Sequence, residues 1–112
     1  MAYNLDLADR VEEAMARCGY IGPNALKMFG GICYTVNGNI ACGVIRDQLI
    51  VRVGKQAYQA SLEKEGVNEF DITGRAMRGW VMVDLAAVSE DQALLDWVAR
   101  GVSFAASLEK KV

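Results

Sequence analysis

Arg75 and Arg78 stand between Gly74 and Gly79, directly before Trp80, and here the chain comes nearest to carrying chemistry. Two guanidinium groups beside an indole suit a carboxylate, a phosphate or a stacked base. Arginine binds oxyanions through paired N–H bonds and also lies flat on aromatic rings. Arg52 extends the set. It sits at mid-strand spacing among Leu49, Ile50, Val51 and Val53, where a charge needs an acidic partner or an exposed face. Lys27 is a fourth cation that could converge on the same point. The plainer alternative has Trp80 anchoring the loop to the sheet with the arginines solvated. Phe29, Gly30 and Gly31 follow Lys27 closely, and two glycines could cradle a phosphate with their backbone N–H groups. No Gly-x-x-x-x-Gly-Lys-Ser/Thr pattern or strand-to-helix context accompanies them, so a tight turn or bulge explains them better.

Catalysis has little to work with. Histidine is absent, which removes the usual general base near neutral pH and the commonest metal ligand. Cys18, Cys33 and Cys42 include no Cys-x-x-Cys pair, and Cys42 has no histidine to lower its pKa, so buried inert thiols are expected. The acidic pairs Glu12-Glu13, Glu90-Asp91 and Asp6 with Asp9 fall on helix surfaces or a cap, not in a shared cleft. The expectation is a protein that is not an enzyme and needs no cofactor or metal. Twelve basic and fourteen acidic residues give a net charge of −2, with no run of about five like charges, which disfavours direct nucleic acid binding. Apolar runs are broken well before the ~18 residues of a membrane span, and the start of the chain lacks a secretory pattern. A cytoplasmic location is expected, and an odd cysteine count fits a reducing compartment.

These residues need elements to hold them. With 112 residues and 53% hydrophobic content, the chain is expected to be one domain with one core. Leu7, Val11, Ala14, Met15 and Cys18 recur at helical spacing from Leu5 to Cys18, and Gly19 is a natural stop. From Ala25 to Val53 the period changes to two. Segments Ala25–Phe29, Ile32–Val36, Ile40–Ile45 and Gln48–Val53 read as an antiparallel meander. A short helix follows from Lys55 to about Lys64, with Ala57, Tyr58, Ser61 and Leu62 inward and Gly66 closing it. Glu69–Ile72 and Trp80–Asp84 read as two more strands. Ser89-Glu90-Asp91-Gln92 reads as a capping box opening the last helix, whose stripe is Leu94, Val98, Gly101, Val102, Ala105 and Leu108. Lys110 and Lys111 complement its dipole at the far end.

Strand register follows from burial. A two-residue Asn37-Gly38 loop, the strongest local hairpin signal, would set Tyr34 opposite Ala41 and Cys33 opposite Cys42. A three-residue Asn37-Gly38-Asn39 loop would set Val36 opposite Ile40, Tyr34 opposite Cys42 and Ile32 opposite Val44. Only the second gathers those residues with Leu49, Val51 and Val53 on one apolar face, and burial outweighs turn preference. Cys33 and Cys42 then point to opposite faces. The reverse face, with Cys33, Thr35, Ala41, Gly43, Ile45, Gln48, Ile50 and Arg52, is mixed and free for a partner. The fold class expected is α+β, a two-layer arrangement with an antiparallel sheet in the order α-β-β-β-β-α-β-β-α, helices on one side only.

Lys27-Met28-Phe29-Gly30-Gly31, Asn37-Gly38-Asn39, Ala41-Cys42-Gly43, Leu49 through Gly54, and Thr73 through Val81 together resemble the TfoX N-terminal domain family. The likeness runs from about Leu5 to Leu108. It implies a two-layer α+β domain of the secretion-chaperone-like class. It also implies a bacterial co-regulator of transcription, in some members of competence, acting through protein contacts and without catalytic residues. A single domain is expected, lacking the second, C-terminal domain of the competence regulators. The function expected is a protein-interaction domain, docking a protein partner or forming a homodimer through the free sheet face or a strand edge. The alternative is a small-ligand or anion-binding domain. Its contacts would come from Lys27, Phe29, Gly30, Gly31, Arg52, Arg75, Arg78 and Trp80.

Overall fold

The computed structural model describes residues 3–71 and 74–110. Helix α1 (Leu5–Arg17) leads into strands β1 (Asn24–Met28), β2 (Gly31–Val36), β3 (Asn39–Ile45) and β4 (Gln48–Arg52). Helix α2 (Lys55–Leu62), β5 (Val67–Glu69), β6 (Trp80–Val83), a 3-10 turn at Leu85–Val88 and α3 (Asp91–Ser107) complete the chain. The six strands form one sheet in the order β1-β2-β3-β4-β6-β5, antiparallel throughout. This is the expected α+β class and element order. No helix among the described residues is long and apolar enough to cross a membrane.

Helix α1 forms because Leu7, Ala8, Val11, Ala14 and Met15 make a buried stripe, and its start is fixed twice. The Asn4 side chain accepts from the Leu7 N–H at 3.0 Å, while its amide donates to Asp47 at the β3–β4 turn, also at 3.0 Å. The three helices lie over one sheet face. Tyr34, Val36, Cys42, Val44, Leu49, Val51 and Val53 fill that face beneath Leu7, Val11, Met15, Tyr58, Leu94, Val98 and Val102.

The β2–β3 hairpin corrects the expected loop. Asn37 and Gly38 alone form it, at φ of +52° and +82°, and Val36 pairs with Asn39. Further along, Tyr34 pairs with Cys42 and Ile32 with Val44, as burial requires. A bulge beside Tyr34 and Thr35 absorbs the difference, leaving Ala41 as the extra residue of β3. Two positions change sides in consequence. Ile40 pairs with Thr35 and leaves the helix-facing set, while Ala41, assigned to the reverse face, joins the main core. Cys33 and Cys42 stay unbridged, with Cys33 opposite Gly43. The first hairpin turns at Phe29-Gly30, both at positive φ, and Gly31 is already the first residue of β2.

The reverse face is not free. Ile45 and Ile50 are 2% and 1% exposed, clustered with Met82 of the neighbouring strand β6 and with Phe70, and with Phe29, Met77 and Trp80 packed alongside. The chain after β5 folds back over this side, and the Met77 N–H donates to the Phe70 carbonyl at 3.0 Å. The sheet thus carries two cores, a large one under the helices and a small one under the segment ahead of β6. The strand expected at Glu69–Ile72 lies earlier, at Val67–Glu69, because Phe70 turns into the small core; Ile72 lies outside the described residues, as do Thr73 and Lys111. The capping box does not form either. Ser89 is the C-cap of the 3-10 turn, and α3 begins at Asp91 with Glu90 as N-cap and no side-chain cap bond. Arg10 from α1 instead gathers the Val88 carbonyl at 2.8 Å and the Asp91 carboxylate at 3.2 Å.

Candidate functional site

Residues of β4 alternate between the two faces, with Leu49 and Val51 under the helices and Ile50 and Arg52 behind. At the end of β4, Arg52 pairs directly with Trp80 of β6. Its guanidinium carbon lies 5.2 Å from the Trp80 ring centre and 5.4 Å from that of Phe104, which comes from α3 on the other layer. Arg52 therefore bends around the end of the sheet and is held between two rings. Such contacts are worth roughly 0.5–2 kcal/mol each, depending on desolvation. Trp80 is backed by Phe70 at 6.0 Å, and Phe70 by Phe29 at 5.2 Å edge-on. A continuous row of rings thus fixes the guanidinium from the first hairpin onward. Among the described residues Arg52 has no ion-pair partner; the pair present there is Arg10 with Asp91.

The chain reverses sharply after Arg52. Val53 and Gly54 both donate to the Gly79 carbonyl, at 2.8 and 3.0 Å, which ties the end of β4 to the start of β6. Gly54 has φ of +86°, and a Cβ there would run into the Phe104 ring, so this position needs glycine on both counts. Gly54 is also the N-cap of α2 and offers no side-chain acceptor; the first turn holds no acidic residue. The helix N-terminus, with its partial positive charge, opens beside Arg52. Lys55 and Arg78 join it. The resulting cavity of about 450 Å³ is lined by Arg52, Lys55, Arg78, Trp80 and Phe104 with the Val53–Ala57 backbone, and no carboxylate is among its walls. Its size is that of a small-ligand site. On the far side of Lys55 and Arg78 lies a neighbouring depression containing Glu69, to which the Tyr58 hydroxyl donates at 3.3 Å. Burial, followed by that carboxylate, pushes the Tyr58 phenol pKa up.

The structure brings together Arg52, Arg78 and Trp80 of the sequence candidates and separates the rest. Lys27 is exposed on β1, at the sheet edge, with β2 and β3 between it and β4. Gly30 and Gly31 belong to the first hairpin and no helix start follows them. Phe29 reaches the site only through the ring row. Arg75 is exposed outside the cleft walls. The helix start at Lys55 was expected, but Lys55, Phe104 and the α2 N-terminus were not among the sequence candidates for the site. Gly54 followed by a lysine at the start of a helix, with no Ser, Thr, Asp or Asn to cap it, was the signal that could have found them.

No thiol enters the cleft. Burial pushes the Cys33 pKa up to about 11, and burial together with Cys33 and Cys18 pushes Cys42 higher still, so both are protonated at neutral pH. Among the described residues, no cluster of three or more His, Cys, Asp or Glu could hold a metal ion. The arrangement can bind an oxyanion through a fixed guanidinium fork and flanking point charges.

Comparison with curated proteins returned no match, and comparison with solved structures returned none. The model of the TfoX N-terminal domain matches residues 14–105, from within α1 to near the end of α3 and across every strand, and the chain belongs to that family.

Proposed function

We propose that the chain is a non-enzymatic recognition module of the TfoX N-terminal type that takes up an anionic group in the cleft beside Arg52. The supporting observation is the guanidinium held between Trp80 and Phe104, with no ion-pair partner among the described residues, where the other charges lining the cavity are Lys55 and Arg78. Gathering three cations at an uncapped helix N-terminus opposes folding through like-charge repulsion, and a bound oxyanion reverses the sign of that interaction. A binding role is supported by what the walls bring together, three cations and two rings beside a helix start. Family membership supports a role in transcriptional co-regulation, with the acid supplied by a partner or a metabolite in the cytoplasm.

A thermal-shift screen of phosphate, nucleotides, dicarboxylates and acidic peptides tests this reading. A ligand present at 100 times its dissociation constant adds about 2.7 kcal/mol of stability. The expected result is a shift in the parent protein that vanishes in Arg52→Gln. A flat response to every anion, or a shift that survives Arg52→Gln, removes the proposal.

A second reading rests on the open edge of β1. All of Asn24 to Lys27 is exposed, and Ile21 and Leu26 are 85% and 47% exposed beside an unpaired row of backbone groups. This supports homodimerisation by strand addition, with Lys27 limiting its affinity. Light scattering at millimolar concentration is expected to show a dimer that Leu26→Lys returns to monomer. A monomer throughout removes this second reading and leaves the first untouched.

A further inference from the structure

The cleft does not stop at the cationic pocket. Val53, Ala57 and Phe104 are shared with a second depression of about 680 Å³ that runs between α2 and α3. Helix α2 leans on β5 and β6, and the trough between it and α3 stays open. Its walls are small. Ala57 and Ser61 recur one turn apart on α2, and Ala99, Ser103 and Ser107 recur one turn apart on α3. No long side chain of these five reaches across. Asp96 and Arg100 stand on the trough with opposite signs, so its net charge is balanced and discrimination for an acid is confined to the Arg52 end.

Resting on the anion-binding reading above, we propose that the occupant is an extended peptide segment whose carboxylate seats on Arg52 and whose adjoining residues lie along the α2–α3 trough. Three observations select a peptide over other anions. Ala99 and Ser107 are eight helical steps apart, about 12 Å at 1.5 Å per residue, which is the length of roughly four extended residues. The walls mix methyl groups, from Ala57 and Ala99, with the exposed serines Ser103 and Ser107. A peptide backbone must satisfy its N–H and C=O groups and can use the exposed Ser103 hydroxyl, and the Ser107 oxygen as an acceptor while its proton is held by the Phe104 carbonyl, whereas an acyl chain gains nothing from them. A nucleobase would want a free ring, yet Trp80 has Arg52 on one side at 5.2 Å and Phe70 near its ring at 6.0 Å, and Phe104 also bears Arg52. The carboxylate can be a chain terminus or an acidic side chain, since the fork accepts either.

The test uses the full chain carrying Trp97→Phe, which leaves Trp80 as the single tryptophan and a fluorescent reporter in the pocket wall. Probes are N-acetylglutamate, a tetrapeptide and a hexapeptide of alanine and serine ending in glutamate, their amidated forms, and inorganic phosphate. Affinity is expected to rise at least tenfold from the single acid to the hexapeptide. The gain is expected to disappear in Ser103→Phe, where the ring fills the trough at an exposed position, and all binding is expected to disappear in Arg52→Gln. Amidation of the terminus alone distinguishes an α-carboxylate, whose loss abolishes binding, from a side-chain carboxylate, whose binding persists. Equal affinity at every length, an undiminished gain in Ser103→Phe, or phosphate binding more tightly than every peptide overturns the peptide while Arg52-dependent anion binding stands. Silence toward all probes, phosphate included, overturns both.

Discussion

Arg52 illustrates how one side chain can stand out in a sequence while its surroundings do not. A cation among Leu49, Ile50, Val51 and Val53 is anomalous by type alone, and its pairing with Trp80 follows from strand register. Phe104 lies on a different layer, and Lys55 is separated from Arg52 by the reversal at Gly54, so neither was legible. Grouping cations by kind failed for Lys27 because strand order, which local patterns do not reveal, puts two strands between it and Arg52. Arg52→Lys keeps the charge but loses the planar stack and the fork. It is expected to lower stability by about 1 kcal/mol or less in urea titration, yet to abolish the ligand-induced shift. The thiols make a separate prediction. Cys33 and Cys42 have folded pKa values raised by burial above the ordinary 9.0. Their contribution is therefore fully present below pH 9, where both states hold the proton. It is lost as pH rises from there, because only the unfolded chain releases it. Each thiol removes about 1.4 kcal/mol per pH unit across its window, which for Cys33 closes near pH 11. Stability measured from pH 8 to 10.5 is expected to fall steeply above pH 9, and to fall much less in the Cys33→Ala/Cys42→Ala double variant.

At the scale of elements, the β2–β3 hairpin shows why two correct local signals looked incompatible. Asn37-Gly38 wanted a two-residue loop, and burial of Tyr34, Cys42 and Val44 wanted a register that such a loop does not give. A bulge satisfies both, leaving one residue outside the ladder. Bulges carry no sequence signature here, since Ala41 is an ordinary strand residue, so the choice could be framed only as one loop or the other. The helix stripes were easier. Periodicity located α1 and α3 and most of their buried residues; it left out Ala8, and Trp97, at the edge of the α3 stripe, is buried. The bulge has a consequence in the facing helix. A Cβ built on Gly101 of α3 would strike the Ala41 carbonyl oxygen, with Val51 only 3.4 Å away. Gly101→Ala is thus an overpacking change despite the higher helix propensity of alanine, and a cost of about 1–3 kcal/mol is expected. The urea midpoint should fall with the slope unchanged. A neutral or stabilising result would show that α3 can lift away from the bulge.

For the molecule as a whole, the sheet has to be covered on both faces, and the chain does this with unequal means. Three helices seal one side, while on the other Phe70 and Met77 pack with Ile45, Ile50 and Met82 of the sheet, with rings at the border. That second cover was not legible, because Phe70 reads as a strand residue and Met77 is a lone large apolar side chain among the glycines and arginines of the run from Gly74 to Gly79. The same cover supports the cleft, since Phe70 backs Trp80 and Trp80 holds Arg52. Phe70 is fully buried, and truncating it to alanine removes the centre of the small core at a cost of about 3–5 kcal/mol if that core is integral to the fold. The small core involves few residues, however, and the Met77 and Trp80 amides are tied by single bonds of 3.0 and 3.1 Å to Phe70 and Met77. Local opening is therefore the expected response to Phe70→Ala. In native-state hydrogen exchange the Met77 and Trp80 amides should lose most of their protection, while those pairing β3 with β4 change little. The anion-induced shift should weaken as Trp80 loosens, and the uncovered Ile45 and Ile50 should promote self-association in light scattering. Equal loss of protection across all strands would mean instead that the two cores unfold as one, and that the cleft is as rigid as the sheet beneath it.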